Sequence, residues 1–367
     1  MTAEQLQWQT FAVLALAFAA STGLGFLLHR SHFCAMGAIS DWCLMGNPLR
    51  ARQWALALAV AMLGFAGLML WCGISPINTM YNTQRLPWLS LSLGGLLFGV
   101  GMVLASGCAS KALVRLGAGN LKQLVVLIVM GLAALATVRG LPAVWRVQGV
   151  DRVDLGWPFG PFLGQGLASL FGGSLTQASA VAAVTIALAL CFWVWRDRDF
   201  RTPGHLLAGL GVGLVAVFLW WTSGVLAWVP EHPETLEPVF LTTASGRMEA
   251  MSFVGPVAYW LDAFLYFSDG TKRISFGMAM LPGVVLGSAC SAWREGTFRW
   301  EGFTQTADLV RHLLGGVLMG VGGVMAMGCT FGQGLSGLST LSLGSLLATA
   351  GIVLGAVLTL KWQMAHD

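Results

Sequence analysis

Two glycine-rich stretches of the chain are nearly the same. Residues 93–108 read LGGLLFGVGMVLASGC, and residues 314–329 read LGGVLMGVGGVMAMGC. Eleven of these 16 positions are identical at an offset of 221 residues, which shared apolar composition alone would not produce. The same offset relates Asp41 to Asp262 and Arg52 to Arg273, so we expect the repeat to begin upstream of the two stretches.

The composition around the repeat excludes a water-soluble globule. Of the 367 residues, 56% are hydrophobic and 10% are charged, whereas a soluble domain carries about 25% charged residues. The mean hydropathy is +0.74. Continuous apolar runs at 11–28, 54–71 and 341–360 are each long enough to cross a hydrocarbon layer of about 30 Å. Because the runs do not alternate, they predict an all-α polytopic membrane protein and exclude a β-barrel.

The apolar runs predict nine full spans and four shorter segments. The spans are expected at 9–28, 53–74, 88–106, 121–138, 176–195, 204–229, 274–293, 312–328 and 341–361. The shorter segments are too apolar for solvated loops and too short or too broken by glycine to span, so they are interpreted as re-entrant pieces or short helices inside the bundle. They lie at 29–48, 107–120, 246–269 and 329–340.

Lysine and arginine are distributed unevenly over the two faces. We call the face that holds the N-terminus side A and the opposite face side B. With nine spans, 13 of the 20 Lys and Arg residues fall on side B and 7 on side A. The positive-inside rule therefore places side B in the cytoplasm, with the N-terminus outside and the C-terminus inside.

The number of spans predicts how the two repeats are oriented relative to each other in the membrane. Five spans separate equivalent positions, an odd number, so the second repeat is expected to enter the membrane with opposite polarity. Such inverted repeats are typical of transporters, with the substrate site near the midplane where the repeats meet. The predicted units are a first repeat at 1–138, a connector with one span at 139–203, and a second, inverted repeat at 204–367.

The seven cysteines form no CxxC pair, so neither a metal site nor a disulfide framework is predicted. Cys108 and Cys329 end the two repeated blocks, and Cys34 lies in a comparable segment. Three thiols along one pathway favour a soft, sulfur-bearing substrate, because a thiol both donates and accepts weak hydrogen bonds. The other cysteines are interpreted as small buried packing residues. They are Cys43, Cys72, Cys191 and Cys290.

Three further residues are candidates for substrate contact. Gly107 and Gly328 directly precede the repeated cysteines, where a missing side chain would expose the backbone. Lys111 would add positive charge, although a snorkelling surface lysine fits the sequence equally well. Asp41 and Asp262, with Asp269, are candidates for ion coupling, but helix capping is the favoured interpretation.

These residues resemble the YeeE/YedE family of bacterial sulfur-compound transporters. The similar stretches are 25–41, 99–108, 246–269 and 314–334, and the paired Gly-Cys motifs are the specific part. The resemblance implies thiosulfate uptake across the inner membrane by a two-lobed, hourglass-like helical bundle. It also implies that Cys34, Cys108 and Cys329 pass the anion along by S–H···S contacts, and that a cytoplasmic TusA-like sulfur-carrier protein is a partner.

Other functions remain open at the level of sequence. A permease of the same fold for sulfite or selenite is one, and a membrane thiol protein that relays sulfur covalently or senses thiols is another. An enzyme of that kind needs a low-pKa thiolate beside a positive group, and only His32 near Cys34 and Lys111 near Cys108 are candidates. No enzymatic activity and no cofactor is expected. The chain has no GxxxxGK[ST] motif for ATP, and a net charge of +4 gives no reason to expect nucleic acid.

Overall fold

The computed structural model describes residues 3–83, 85–154, 156, 160–233, 236–268 and 273–366. Helices make up most of them. The first seven are α1 (Ala3–Ser31), α2 (Ala35–Met45), α3 (Leu49–Cys72), α4 (Trp88–Leu104), α5 (Ala109–Gly117), α6 (Leu121–Arg139) and α7 (Leu141–Gln148). The others are α8 (Leu163–Phe171), α9 (Leu175–Trp195), α10 (Pro203–Trp221), α11 (Val254–Leu265), α12 (Phe276–Arg294), α13 (Thr306–Met325) and α14 (Leu343–His366).

Shorter elements complete the chain. A two-residue antiparallel hairpin pairs β1 (Trp228–Val229) with β2 (Val239–Phe240), and π-helical turns run over Thr222–Leu226 and Gly332–Gly337. Three 3-10 turns lie at Pro76–Asn78, Val150–Arg152 and Asp199–Arg201.

The prediction of an all-α polytopic membrane protein is confirmed. Within the described residues, nine helical segments are long and apolar enough to cross a membrane. Large apolar side chains such as Phe11, Leu70 and Phe192 are exposed on their outer faces, as expected where lipid replaces water. Three helices begin several residues earlier than predicted, because α1, α3 and α13 start with polar turns before their apolar runs. These turns carry Glu4, Arg50 and Asp308.

All four shorter apolar segments contain helix. Three of them hold α2, α5 and α11, and the fourth is helical from 330 to 339 around the π-helical turn. These short helices place broken backbone inside the bundle, where it is covered by protein rather than lipid.

The repeated glycines let long helices approach closely. A Cβ on Gly94 would lie 2.6 Å from Met325 Cβ, and one on Gly101 would lie 2.7 Å from the carbonyl oxygen of Gly315. Gly95 and Gly99 leave no room for a Cβ against the backbone of α14. The helix α4 therefore packs directly on both α13 and α14, a geometry that only small residues permit.

The paired aspartates do not cap helices, so the capping interpretation of Asp41 and Asp262 is wrong. Asp41 Oδ2 lies 3.3 Å from Arg50 Nη1, and Asp262 Oδ1 lies 3.1 Å from Arg139 Nη1. The N-cap positions of their helices belong to Cys34 and Phe253 instead. The third aspartate, Asp269, lies outside the described residues.

The glycine packing predicts that an added methyl group destabilises the protein at one helix-interior glycine and not at another. A methyl group at Gly99 would collide with α14, where its Cβ would stand 2.8 Å from the amide nitrogen of Ala356. Gly99→Ala should therefore lower the free energy of unfolding by about 1–3 kcal/mol, as overpacking does. Gly23 has nothing within 4 Å of the added carbon, so Gly23→Ala should be neutral or stabilising by about 0.5–1 kcal/mol. Thermal unfolding in detergent tests this, and equal melting temperatures for the two variants would contradict it.

Candidate functional site

The three cysteines at the helix breaks share one backbone motif. Two residues before each cysteine, the chain adopts a left-handed conformation in a residue other than glycine. The φ values are +52° at His32, +55° at Ser106 and +56° at Met327. A side chain in this region costs about 1–2 kcal/mol, so the same strain at three equivalent places shows that the surrounding packing fixes these turns.

Each thiol then lies at the start of a short helix. The backbone N–H of Gly37 donates to Cys34 Sγ at 3.4 Å, and that of Gly332 donates to Cys329 Sγ at 3.5 Å. At Cys108 the corresponding N–H, that of Lys111, approaches the sulfur without forming a regular cap. The positive ends of three short helices therefore surround the thiols.

The fold brings the predicted thiols together. Cys34, Cys108 and Cys329 are 3%, 0% and 0% exposed. The Cys34 and Cys108 side chains are neighbours. Ser110 Oγ lies 3.2 Å from Cys108 Sγ, and Thr330 is a further neighbour of Cys108. Thr330 directly follows Cys329, so the second repeat approaches Cys108 of the first repeat at the residue beside Cys329.

A cluster of aromatic rings packs around the thiols. Phe331 has its ring centroid 6.0 Å from that of Phe33, 5.0 Å from that of Trp54 and 5.6 Å from that of Phe253. Phe331 and Phe253 are fully buried. The sequence interpretation missed this cluster. The placement of Phe33 directly before Cys34, and of Phe331 two residues after Cys329, was a signal for it.

On side B the thiols adjoin a cationic cavity of about 240 Å³, which we call the thiol cavity. Cys34 lines it together with five basic or titratable side chains and no acidic one. These are His29, His32, Arg50, Lys111 and Arg115. Lys111 thus lies where a positive charge was predicted, and its field favours an anion beside the thiol.

On side A, the loop between α3 and α4 contacts both the segment after Cys329 and the residues before α11. Tyr81 donates from its hydroxyl to the carbonyl oxygen of Gly332 at 2.5 Å, three residues after Cys329. Met248, next in the chain to Glu249, exchanges backbone hydrogen bonds with this loop, accepting from Met80 at 3.1 Å. Burial raises the pKa of the Glu249 carboxyl. The shift is towards the neutral form, which repels an anion less than the charged form does.

Gly107 and Gly328, the predicted contact glycines, lie directly before Cys108 and Cys329. Their N–H groups are already bonded, from Gly107 to Met102 O and from Gly328 to Gly323 O, each at 2.8 Å. A Cβ at Gly107 would press on Lys111, and one at Gly328 on Gln333. Their N–H groups are therefore not available to a substrate, and any other direct contact at these glycines stays a prediction.

The remaining cysteines are not packing residues of the core. Cys43, Cys72 and Cys290 are exposed and Cys191 is partly exposed, in contrast to the three buried thiols. The interpretation as buried small hydrophobes is wrong for Cys43, Cys72 and Cys290, because lipid offers a cysteine an apolar environment outside the core as well. Cys191 is partly buried against a small cluster that includes Val194 and Phe200.

The aromatic cluster predicts a permeability barrier. Phe331→Ala should destabilise the protein by about 3–5 kcal/mol and let water and protons leak past the thiols. Phe331→Leu keeps an apolar side chain and should leak less. Phe171, which is 82% exposed, supplies the control variant Phe171→Ala. Proton leak into proteoliposomes, read with a pH-sensitive dye, measures the effect, and an unchanged leak in folded Phe331→Ala would contradict it.

Comparison with known proteins agrees with this architecture. The chain is 28% identical over 344 residues to the thiosulfate transporter TsuA of Escherichia coli K12, covering 92% of this chain and 91% of that protein. It is 27% identical over 349 residues to the thiosulfate transporter TsuA of Spirochaeta thermophila, covering 93% and 94%. Both relatives are transporters. The model of the sulphur transport family matches residues 30–358, a range that contains all three buried thiols, and the chain belongs to this family.

Proposed function

We propose that this protein takes up thiosulfate across the bacterial inner membrane and that the thiols of Cys34, Cys108 and Cys329 pass the anion along. The observation that carries the proposal is the group of three buried thiols, each at the start of a short helix. The two relatives named thiosulfate transporter TsuA, each covered over more than nine-tenths of its length, support the choice of substrate.

The two ends of thiosulfate need different partners. Its terminal sulfur is soft, and a thiol S–H donates a weak hydrogen bond to it without adding charge to the site. Its sulfonate end carries oxygens, which suit the N–H groups at helix N-termini and the basic side chains of the thiol cavity. Because Cys34 and Cys108 are neighbours, the anion can leave one thiol as it meets the next.

The basic lining on side B fits delivery to the cytoplasm. Side B carries the larger share of Lys and Arg, which favours its cytoplasmic orientation. A TusA-like sulfur-carrier protein is proposed to receive sulfur there, at the mouth of the thiol cavity. Its basic side chains and the Cys34 thiol lie together at this face.

The division into domains is also a proposal, which rests on the internal repeat and on the number of spans. The units are 1–138, 139–203 and 204–367, with the third unit inverted relative to the first. The matching left-handed turns at Ser106 and Met327, and the short helices that follow them, support this division.

A covalent relay is the second candidate, because the nearness of Cys34 to Cys108 also suits sulfur transfer. A thiolate would attack the outer sulfur of thiosulfate, the S–S bond would break, and sulfite would leave with the electron pair. The cysteine would then hold a persulfide. This candidate predicts sulfite release during uptake and a protein heavier by one sulfur atom, whereas passage through S–H···S contacts predicts neither.

Purified protein in proteoliposomes should accumulate radiolabelled thiosulfate, and mass spectrometry of the recovered protein separates the two mechanisms. Excess sulfate should compete weakly, since it has no soft sulfur. Sulfite or selenite competing better than unlabelled thiosulfate would instead indicate a permease for those anions.

The same assay tests the thiols individually. Cys108→Ser and Cys329→Ser should lose most of the uptake, and Cys34→Ser should be impaired, because a hydroxyl is harder and less polarisable than a thiol. Cys43→Ser, Cys72→Ala, Cys191→Ala and Cys290→Ala are the matched controls and should transport normally, since three of these cysteines are exposed, Cys191 is partly exposed, and none belongs to the buried group of thiols. Normal uptake by the first set with loss in the second would reject the proposed pathway.

The orientation has its own test. Reporter fusions should show a periplasmic N-terminus and a cytoplasmic C-terminus. Both termini in one compartment would rule out nine spans and the inverted repeat together.

A further inference from the structure

A second polar cavity, of about 470 Å³, opens on side B beside the thiol cavity. Arg115 and Ala118 line both cavities, so the two are neighbours that share part of one wall. The second cavity is bounded by the beginning of α6, the beginning of α13 and the loop before α13, through Gln123, Asp308 and Thr297. None of the three cysteines lines it.

The acidic groups of this cavity already have partners within the protein. Asp308 lies 2.7 Å from Lys122 Nζ through one carboxylate oxygen and 3.0 Å from His312 Nδ1 through the other. Glu301 accepts a hydrogen bond from the side-chain amide of Asn120. Arg115 is bonded differently, because its guanidinium donates to the carbonyl oxygen of Ser106 at 3.2 Å. A guanidinium has five N–H donors, so further donors remain for an anion.

Gln123 is the second sign of a ligand. Its side chain lines the cavity but is only 1% exposed. Its amide oxygen has no hydrogen-bond partner among the described residues. A buried polar group without a partner is costly and points to a water, an ion or a ligand. Rotation of the amide by 180° exchanges its oxygen and nitrogen, so that Gln123 can offer N–H groups to an anion.

We infer that this cavity is a second anion site, which binds a tetrahedral sulfur oxyanion between Arg115 and the Gln123 amide. The inference extends the proposed function, because the ligand belongs to the same chemical class as the transported anion. Two sources share this chemistry: thiosulfate that has just left Cys34, and sulfate free in the solution on side B. An anion held at this site shares Arg115 with the thiol cavity, so it slows the departure of the next anion.

Calorimetric titration of the purified protein with sulfate tests the site without any transport measurement. Wild type should bind sulfate, and Gln123→Leu and Arg115→Gln should each weaken binding by about tenfold or more, as the loss of a hydrogen bond to a charged group does. Gln123→Leu should also raise the melting temperature, since it removes an unpaired buried amide. Arg294→Gln, an exposed arginine on the same face outside the cavity, should bind like wild type.

Two further variants show whether the sulfate binds in the second cavity or in the thiol cavity. Arg50 lines the thiol cavity and not the second one. If Arg50→Gln abolishes sulfate binding while Gln123→Leu does not, the anion binds in the thiol cavity and the inference is wrong. A protein with Cys34, Cys108 and Cys329 all changed to Ser should still bind both sulfate and thiosulfate here. The inference would also be overturned if wild type bound no sulfate. Tighter binding of the free amino acid glycine, a zwitterion, than of sulfate would overturn it as well. Failure of thiosulfate uptake alone would count against the proposed function and not against this site.

Discussion

The requirement that buried backbone N–H groups find partners is the constraint on which this structure depends. Three short helices start at cysteines within the bundle, where lipid cannot supply hydrogen bonds to their first turns. At Cys34 and Cys329 the thiol sulfur accepts one of these N–H groups, at 3.4 and 3.5 Å. Sulfur is a weak acceptor, so the helix ends stay attractive to an anion. The contact that caps the helices at Cys34 and Cys329 therefore also fixes these two thiols beside a positive dipole.

Close packing at glycine brings these helix ends together. The helices α4 and α13 cross where glycine replaces any larger residue, and each ends in a left-handed turn followed by a cysteine. A Cβ at Gly94 or Gly101 would push the helices apart, and Thr330 would move away from Cys108. The repeated glycines thus act on the site through helix distance rather than through contact with the anion.

Much of this arrangement follows from the sequence because the signals are long or duplicated. Apolar runs predicted the nine spans, and the repeated Gly-Cys blocks identified Cys108 and Cys329 as a pair. The left-handed turns could not be predicted, since His32, Ser106 and Met327 share no side-chain property that favours this conformation. Tertiary packing imposes it.

The surface position of Cys43, Cys72 and Cys290 was missed for a related reason. Burial preferences come from proteins in water, where a cysteine gains by leaving the solvent. A lipid-facing position offers the same gain, so composition alone cannot separate the core of a membrane bundle from its outside.

The choice of thiols at the centre follows from the needs of passage. An anion must bind strongly enough to enter and weakly enough to leave. An arginine among the buried rings of Phe253 and Phe331 would hold a divalent anion tightly, because attraction between charges grows as water is excluded. A thiol offers a neutral, polarisable contact of low strength. The basic residues accordingly line the cavity on side B, where water screens them, while the buried residues around Cys108 and Cys329 include the hydroxyls of Ser110 and Thr330 and the ring of Phe331. In the proposed mechanism an anion would therefore exchange basic side chains screened by water for weak contacts with neutral thiols, and no single step along the pathway would become a trap.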